Sequence, residues 1–212
     1  MDIHFFTFNP FSENTYLIVG QQGSCLVIDP GMMDSQENEA FDQFISEKSL
    51  TLTGLILTHG HIDHVLGVKH IEEMYSLRAR AHKDSKPVYE ACPRVAQMYG
   101  VPYFPGSDPL YDLKEGEDLN LDGESIELRL VPGHAPGHLV LVDHESKQVV
   151  AGDTLFAQSI GRTDLPGGNH DLLLQKIKEE LFTLGDDYEV WPGHGPSTTI
   201  GQEKAHNPFL QG

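Results

Sequence analysis

The first part of the chain alternates short apolar segments with turn-forming residues. Three segments are rich in β-branched and aromatic residues and predict successive antiparallel strands, at residues 3–8, 15–19 and 24–28. After Asp29-Pro30-Gly31, the apolar positions between 40 and 45 follow the spacing of an amphipathic helix, which Ser35 could cap at its N-terminus. The strand pattern returns at residues 54–57.

The rest of the chain predicts mixed α/β layers. Helical spacing recurs at residues 65–74, 87–99 and 173–181, and strand patterns recur at 126–131, 139–142, 148–151 and 188–191. Residues 101–116 are crowded with Pro, Gly and Asp and predict a surface loop. Because strands come first, then helices, then strands again, the order favours two central sheets and does not resemble alternating βαβ units.

The length of the chain favours one domain. At 212 residues, a single core can bury roughly 70 % of the surface that the unfolded chain exposes, so we expect one domain over residues 1–212. Hydrophobic residues make up 39 % and charged residues 22 %, which is typical of a compact globular protein and excludes disorder and coiled coil.

The charge excludes several kinds of partner. Lys and Arg total 14 against 32 Asp and Glu, a formal net charge of −18, so no broad cationic surface can neutralise the phosphates of a nucleic acid. The longest apolar stretches, such as residues 16–19 and 139–142, are four residues long, whereas roughly 20 are needed to cross a bilayer. We expect neither nucleic acid nor a membrane as a partner.

The N-terminus and the cysteines indicate the compartment. Residues 1–5 have neither the basic start nor the apolar run of a secretory signal, so we expect a cytoplasmic protein. Cys25 and Cys92 lie far apart and match no metal-type spacing, which favours reduced, buried thiols over a disulfide.

A cluster of metal-ligating residue types follows the strand predicted at residues 54–57. Three histidines, His59, His61 and His64, share six positions with Asp63. Imidazole and carboxylate suit zinc, iron or manganese, and the lack of cysteine argues against a closed thiolate site. The helix predicted next places a partial positive charge near the loop, which favours the neutral imidazole and ionised carboxylate that metal binding requires. We therefore expect a metal site with an open position.

Three later segments offer further donors. His134, Asp153 and His194 each follow a glycine at the end of a predicted strand. Each is a weak signal alone, because a histidine after Pro-Gly is a common turn residue. One short loop cannot supply every ligand of a tetrahedral ion, however, and the two sets together give five histidines and two aspartates. That number is enough for two ions that share a bridging carboxylate, an arrangement used in hydrolysis.

This set of residues resembles the metallo-β-lactamase superfamily, and the resemblance extends from Asp29-Pro30-Gly31 to Pro192-Gly193-His194. Within the superfamily the chain is similar to the glyoxalase II-like group. Gly161-Arg162-Thr163-Asp164 and His206-Asn207-Pro208-Phe209 resemble segments of its compact bacterial branch, which is hydroxyacylglutathione hydrolase-like. The resemblance implies an α/β fold, a four-layer αββα sandwich with the metals at one edge of the two sheets.

The resemblance also implies the metal ligands. One ion would be held by His59, His61 and His134. The other ion would be held by Asp63, His64 and His194, and Asp153 would bridge the two ions. Asp29 would support a ligand without coordinating an ion. The implied cofactor is two divalent metal ions, zinc first, with iron and manganese as alternatives.

The activity implied by the resemblance is thioester hydrolysis. A metal-bound hydroxide would attack an S-lactoyl-thiol, a small-molecule substrate, and release a hydroxy acid and a free thiol. Asp63 would also orient the nucleophile, and Arg162 would contact a carboxylate of the thiol unless it forms an ion pair with Asp164. Only 18 residues follow His194, whereas glyoxalase II continues with a helical segment that helps to bind glutathione, so the thiol could differ. A monomer is favoured.

Several alternatives stay open. Persulfide dioxygenases share the Gly-Arg-Thr-Asp segment and the histidine loop but use one iron. A non-catalytic module would need a saturated metal site, and a β-lactamase is disfavoured because no export signal is visible. His138 begins a predicted strand, which favours a structural role over coordination. Tyr103, Phe104 and Tyr111 could line a substrate cleft, although anchoring of the loop is the commoner role of such residues.

Overall fold

The computed structural model describes residues 1–211, which fold into two compact units. The first unit contains Met1–Leu113 and Asn120–Glu124, and the second contains Lys114–Leu119 and the chain from Ser125 onward. The assignment of the whole chain to one domain stays a prediction.

The first unit contains a six-stranded sheet. Its strands are β1 (Asp2–Phe8), β2 (Glu13–Val19), β3 (Ser24–Ile28), β4 (Thr51–Ile56), β5 (Ala79–His82) and β6 (Leu110–Leu113), in that spatial order. The pairs β1–β2 and β2–β3 are antiparallel, as predicted, whereas β3–β4, β4–β5 and β5–β6 are parallel. The expectation of no alternating βαβ units is therefore wrong for this half of the chain.

Four helices connect the parallel strands of the first unit. They are α1 (Ser35–Glu47), α2 (Val68–Tyr75), α3 (Lys86–Glu90) and α4 (Cys92–Tyr99), with 3₁₀ turns at Ile62–His64 and Lys83–Ser85. The single helix predicted at 87–99 is two helices, each with a proline in its first turn, where the missing N–H costs nothing. The cap of α1 is Asp34 and not Ser35, because the Asp34 carboxylate accepts the N–H groups of Gln36 and Glu37.

The first unit has its own apolar core. Phe41 and Ile45 of α1, Leu55 of β4 and Ile71 of α2 are all buried in one cluster. The strands β5 and β6 were not predicted, because the Ala-Arg-Ala-His of β5 has no β-branched residue and β6 lies inside the predicted surface loop at 101–116. Both are short and are placed by their neighbours in the sheet.

The second unit contains most of the other large sheet, of which residues 120, 121 and 124 belong to the first unit. Its strands are β7 (Asp118–Leu121), β8 (Glu124–Leu130), β9 (Leu139–Asp143), β10 (Gln148–Gly152), β13 (Glu189–Pro192) and β14 (Thr198–Thr199), in the spatial order β14-β13-β10-β9-β8-β7. A small hairpin is formed by β11 (Leu155–Phe156) and β12 (Ser159–Ile160). Of the pairs, β10–β13 is parallel, and β8–β9, β9–β10 and β13–β14 are antiparallel.

Two helices belong to the second unit. The first, α5 (His170–Lys176), continues as a π-helical turn at Ile177–Leu181. Of the predicted apolar stripe, Leu173, Ile177 and Leu181 are fully buried, whereas Leu174 is partly buried. The second, α6 (Ile200–His206), was not predicted, because seven residues are too few to show helical spacing. No helix within residues 1–211 combines the length and the apolar character that crossing a bilayer requires.

Candidate metal centre

The histidine loop of the first unit lies where two parallel strands end. Asp29 follows β3 and its N–H donates to the carbonyl of Ile56, the last residue of β4, at 3.0 Å. Thr58 and His59 follow β4 after one intervening residue, Leu57. Because parallel strands end at the same edge of a sheet, Asp29 and the histidine loop meet there. The φ of Asp29 is +51°, a left-handed conformation that aspartate tolerates better than most residues.

The hydrogen bonds around Asp29 determine which ring nitrogens carry protons. The Asp29 carboxylate accepts from the N–H and the hydroxyl of Thr58 and from His64 Nδ1, the last at 3.1 Å. Since the single hydroxyl proton of Thr58 points to Asp29, its oxygen accepts from His59 Nδ1 at 2.9 Å. In His59 and His64, Nε2 is therefore the unprotonated nitrogen, which is the form that binds a metal. Asp29 has the supporting position that the resemblance implied.

The donor atoms of this loop are spaced like neighbouring ligands. His59 Nε2 lies 3.1 Å from His61 Nδ1, and His64 Nε2 lies 3.7 Å from Asp63 Oδ2. Ligands bound at about 2.1 Å with angles of about 90 to 120° are about 3.0 to 3.7 Å apart. The two pairs thus match two edges of coordination polyhedra.

A second carboxyl group lies behind Asp29. Glu13 is fully buried, its Oε2 accepts from the Thr15 hydroxyl at 2.9 Å, and its Oε1 lies 3.8 Å from His64 Nδ1. Burial raises the pKa of Glu13 well above its usual value, and the nearby Asp29 adds to the increase. The ionised form of Glu13 is therefore less favourable than it is in water.

The predicted donors of the second unit also lie at one edge of a sheet. Asp153 follows β10 and His194 follows β13, and these two strands are parallel neighbours whose ends are joined by the Gly193 N–H donating to the Gly152 carbonyl at 2.8 Å. His134 lies in the loop between β8 and β9. That loop is closed by a 2.8 Å bond from the N–H of Val131 to the carbonyl of residue 138.

Asp153 faces two histidines through one oxygen. Its Oδ2 lies 3.5 Å from His134 Nε2 and 3.6 Å from His194 Nε2, and both distances are in the range expected between two ligands of one ion. His134 Nδ1 donates to the Arg162 carbonyl at 2.8 Å, so Nε2 is again the unprotonated nitrogen. His138 uses Nε2 to accept the N–H of Asp153 at 3.0 Å, which fits the structural role predicted for it.

The donor set fits divalent metal ions. Each unit supplies imidazole nitrogens and carboxylate oxygens at ligand spacing, supporting groups hold several of the imidazoles in the binding tautomer, and neither cysteine is among the donors. Zinc, iron and manganese all accept such ligands. Cys25 and Cys92 are free and buried, as predicted, and burial raises the pKa of each thiol to about 12.

The other predicted site residues make local contacts. Arg162 forms a bidentate pair with Asp164 at 2.8 and 2.7 Å, and this hydrogen bonding lowers the pKa of Asp164 to about 2. Its contact with a substrate stays a prediction. Burial raises the pKa of Tyr103 and of Tyr111 to about 12, whereas Phe104 is exposed with the Lys69 ammonium 5.8 Å from its ring.

Several supporting residues were not predicted. Asn9 Nδ2 donates to the carbonyls of Gly31 and Asp63, both at 3.0 Å. The Cys92 thiol donates to the carbonyl of Gly60, at 3.2 Å, inside the histidine loop. A Cβ atom on Gly60 would come within 2.7 Å of the Tyr89 nitrogen, so the loop packs directly against α3. In the sequence, the only sign of this packing was the glycine between His59 and His61.

The site and the sheets define a class of protein. The family model of the metallo-β-lactamase superfamily matches residues 8–194, which include all seven predicted ligands, and the chain belongs to this family. The predicted α/β metallo-β-lactamase fold and the prediction of an enzyme of the metallohydrolase class are thereby confirmed.

Individual relatives cover the whole chain. The chain is 39 % identical to the hydroxyacylglutathione hydrolase GloC of Haemophilus influenzae, over 99 % of this chain and 98 % of that protein. Among solved structures, the B3 metallo-beta-lactamase BLEG-1 matches with a TM-score of 0.88 and 30 % identity, covering 100 % of both chains. TTHA1623, solved in a di-iron-bound form, matches with a TM-score of 0.87 and 36 % identity, over 98 % of this chain and 100 % of that one.

Proposed function

We propose that the chain is a metal-dependent thioester hydrolase that cleaves an S-lactoyl-thiol, or a similar small hydroxyacyl thioester, into a hydroxy acid and a free thiol. The observation that carries the proposal is the pair of donor sets, each with imidazole and carboxylate atoms 3.1 to 3.7 Å apart. The full-length similarity to a protein named hydroxyacylglutathione hydrolase supports this choice among metallohydrolase reactions.

The proposed ligands are those that the resemblance to the family implies. One ion would be held by three histidines, the other by Asp63 and two histidines, and Asp153 would bridge them; the histidines are His59, His61 and His134 for the first ion and His64 and His194 for the second. Zinc is the proposed metal, with iron supported by the di-iron form of one structural relative. The proposed setting is the cytoplasm, with the protein acting as a monomer.

The residues of the chain prepare the site for hydrolysis. Bound divalent ions supply Lewis-acid chemistry, since they lower the pKa of a water toward neutrality and polarise a carbonyl group. Asp29 and the Arg162 carbonyl keep the protons of His64 and His134 on Nδ1, so that both rings present Nε2. Asp63 would accept a hydrogen bond from the attacking water and orient it toward the thioester carbonyl.

The thiolate leaving group does not require a strong acid from the protein. A thiol has a pKa of about 8.5, so the thiolate departs without a strong general acid. Arg162 would release Asp164 to bind a carboxylate of the thiol carrier in the same bidentate manner. An exchange of one carboxylate for another costs little because both charges are exposed to solvent.

Metal analysis together with substrate assays tests the proposal. We expect purified protein to contain two metals per chain and to release thiol from S-lactoyl thioesters. Replacing His59 or Asp153 with Ala should abolish turnover and release metal, whereas His206→Ala, at an exposed position of α6, should retain both. Full turnover by metal-free protein would contradict the proposal.

The same measurements decide between the proposal and its competitors. One iron per chain with oxygen consumption on a persulfide would establish a dioxygenase instead. Rapid cleavage of nitrocefin without thioester cleavage would establish a β-lactamase. Lactones should be assayed as well, because their hydrolysis would show that the site accepts oxygen esters as well as thioesters.

A further inference from the structure

The end of α6 contacts the hairpin that follows Asp153. Glu203 and Asn207 are almost completely buried, with exposed fractions of 1 % and 0 %. Asn207 Nδ2 donates to the Ser159 carbonyl at 2.9 Å and to Glu203 Oε2 at 2.7 Å. The same Oε2 accepts the backbone N–H of Gln158 at 2.9 Å. The turn of the hairpin is therefore held through its backbone by two buried side chains.

This hairpin needs external support. Its strands β11 and β12 contain two residues each, and so short a pair is not stable by itself. Gln158 in the turn has a φ of +57°, which is unfavourable for a residue other than Gly or Asn. The hydrogen bond that Glu203 accepts from Gln158 and the one that Asn207 donates to Ser159 offset these costs.

The hairpin leads directly to a group that contacts a predicted metal ligand. Gly161 follows β12, and a Cβ atom there would lie 1.9 Å from the Asp153 carbonyl oxygen and 3.0 Å from His134 Nδ1. The next residue, Arg162, accepts the His134 Nδ1 proton on its carbonyl at 2.8 Å. A carbonyl can only accept, so its position determines which nitrogen of His134 is protonated.

We infer that Asn207 and Glu203 are positioning residues for His134. They fix the hairpin, the hairpin fixes the Arg162 carbonyl, and this carbonyl keeps the imidazole oriented with Nε2 toward Asp153. The inference rests on the proposed role of His134 as a metal ligand. It also gives a reason for the Asn207 of the C-terminal His-Asn-Pro-Phe segment, which the proposed chemistry does not use.

The test compares variants that break these contacts with one that does not. Asn207→Asp keeps the size of the side chain but removes the donor and places a carboxylate beside Glu203; Glu203→Ala removes the shared acceptor. Thr198→Val is the matched control, because the Thr198 hydroxyl donates at 2.6 Å to Glu203 Oε1 and not to the Oε2 that binds Gln158 and Asn207. Glu203→Gln is the conservative variant, since its one oxygen can still accept from Gln158 and Asn207.

Three measurements on the full chain are needed. They are the affinity for Zn²⁺ by competition with a chelator, hydrogen exchange of residues 154–162, and the thermal stability of the metal-free protein. We expect Asn207→Asp and Glu203→Ala to weaken Zn²⁺ binding roughly 10-fold, the lower end of the effect of removing a direct partner of a metal ligand, because they act on His134 through the hairpin and the Arg162 carbonyl. Both variants should also speed exchange in the hairpin. Thr198→Val should lower stability only, and Glu203→Gln should bind Zn²⁺ nearly as the unmodified protein does.

Two results would overturn the inference. One is unchanged Zn²⁺ affinity in folded Asn207→Asp or Glu203→Ala protein, and the other is an equal loss in Thr198→Val, which would indicate a general effect on stability. If one disrupting variant does not fold, the other gives the answer. Because Zn²⁺ binding is the readout, an absence of thioester cleavage would contradict the proposed function and leave this inference standing.

Discussion

Asn9 connects three parts of the first unit at a single residue. Its amide donates to the carbonyls of Gly31 and Asp63, and its backbone N–H donates to Glu37 Oε1 at 2.7 Å. Its φ is +52°, a left-handed conformation in which asparagine is favoured over most residues. The backbone conformation and the amide at this position therefore both serve to place the carbonyl of a predicted metal ligand.

Replacement of Asn9 by Asp tests this contact. The change keeps the shape and the left-handed conformation but turns a carboxylate toward two carbonyl oxygens, so we expect Asp63 to shift and Zn²⁺ affinity to fall roughly 10- to 100-fold. Competition with a chelator measures the loss. Asn9→Gly, which permits the same φ without adding a charge, should lose less affinity, and equal affinity in Asn9→Asp and unmodified protein would show that the amide is dispensable.

The buried thiols predict a pH dependence of stability. The pKa of Cys25 and of Cys92 is raised to about 12 in the folded protein, chiefly by burial, against about 8.5 in an unfolded chain. Below pH 8.5 both states are protonated and the stabilisation is fully present. Above it only the unfolded chain ionises, so the free energy of unfolding should fall as the pH rises toward 12.

Urea denaturation between about pH 8 and 9.5 measures the thiol effect before the tyrosines of the unfolded chain ionise near pH 10. The double variant with Cys25→Ala and Cys92→Ala serves as the control and should show a flatter dependence in this range, whatever its absolute stability. Identical slopes for the two proteins would mean that the thiols are not the cause.

At the scale of elements, the start of α1 allows a direct comparison between two adjacent residues. Asp34 caps the helix by accepting two N–H groups, at 2.9 and 3.0 Å, while Ser35 is the first helical residue. We expect Asp34→Ala to lower the free energy of unfolding by about 1 kcal/mol and Ser35→Ala to change it little. Urea denaturation of both variants measures the difference. A larger decrease in the free energy of unfolding for Ser35→Ala than for Asp34→Ala would instead identify Ser35 as the cap, as the sequence alone suggested.

The elements that could be predicted are those with a local signal. Strands β1, β2 and β3 are rich in apolar, β-branched and aromatic residues, and the buried face of α5 has regular helical spacing. Strands β5 and β6 and helix α6 lack such a signal and form because neighbouring elements supply their partners. Two of the missed parallel pairs, β4–β5 and β5–β6, follow from the missed β5 and β6. For β3–β4 and β10–β13, both strands and the helix between them were predicted, and only the parallel pairing was missed.

The candidate site also has a part that could be predicted from the sequence and a part that could not. The histidine loop concentrates metal-ligating residue types in six positions, so residue identity alone indicated the chemistry. The supporting contacts depend on residues far apart in the chain, such as Asn9 with Asp63, or Glu203 with Gln158. No local pattern marks them, because Asn and Glu occur throughout surface loops and helices.

At the scale of the whole molecule, the formal charge of −18 affects how the proposed substrate approaches. A thioester of an anionic thiol such as glutathione is repelled, and added salt screens that repulsion. We expect kcat/KM for S-lactoylglutathione to rise with ionic strength. The same measurement on an uncharged S-lactoyl thioester is the control and should show little change; a fall in kcat/KM with salt for the anionic substrate would indicate local cationic guidance instead.

The predicted ligands of the first unit follow the carboxyl end of β4, and this leaves the opposite end of the strand for engineering. The turn before β4 contains Lys48 and Ser49, both exposed, about 20 Å along the strand from the histidine loop. An epitope or a fluorescent reporter inserted after Ser49 would therefore report on the protein in cells without disturbing its reactive edge.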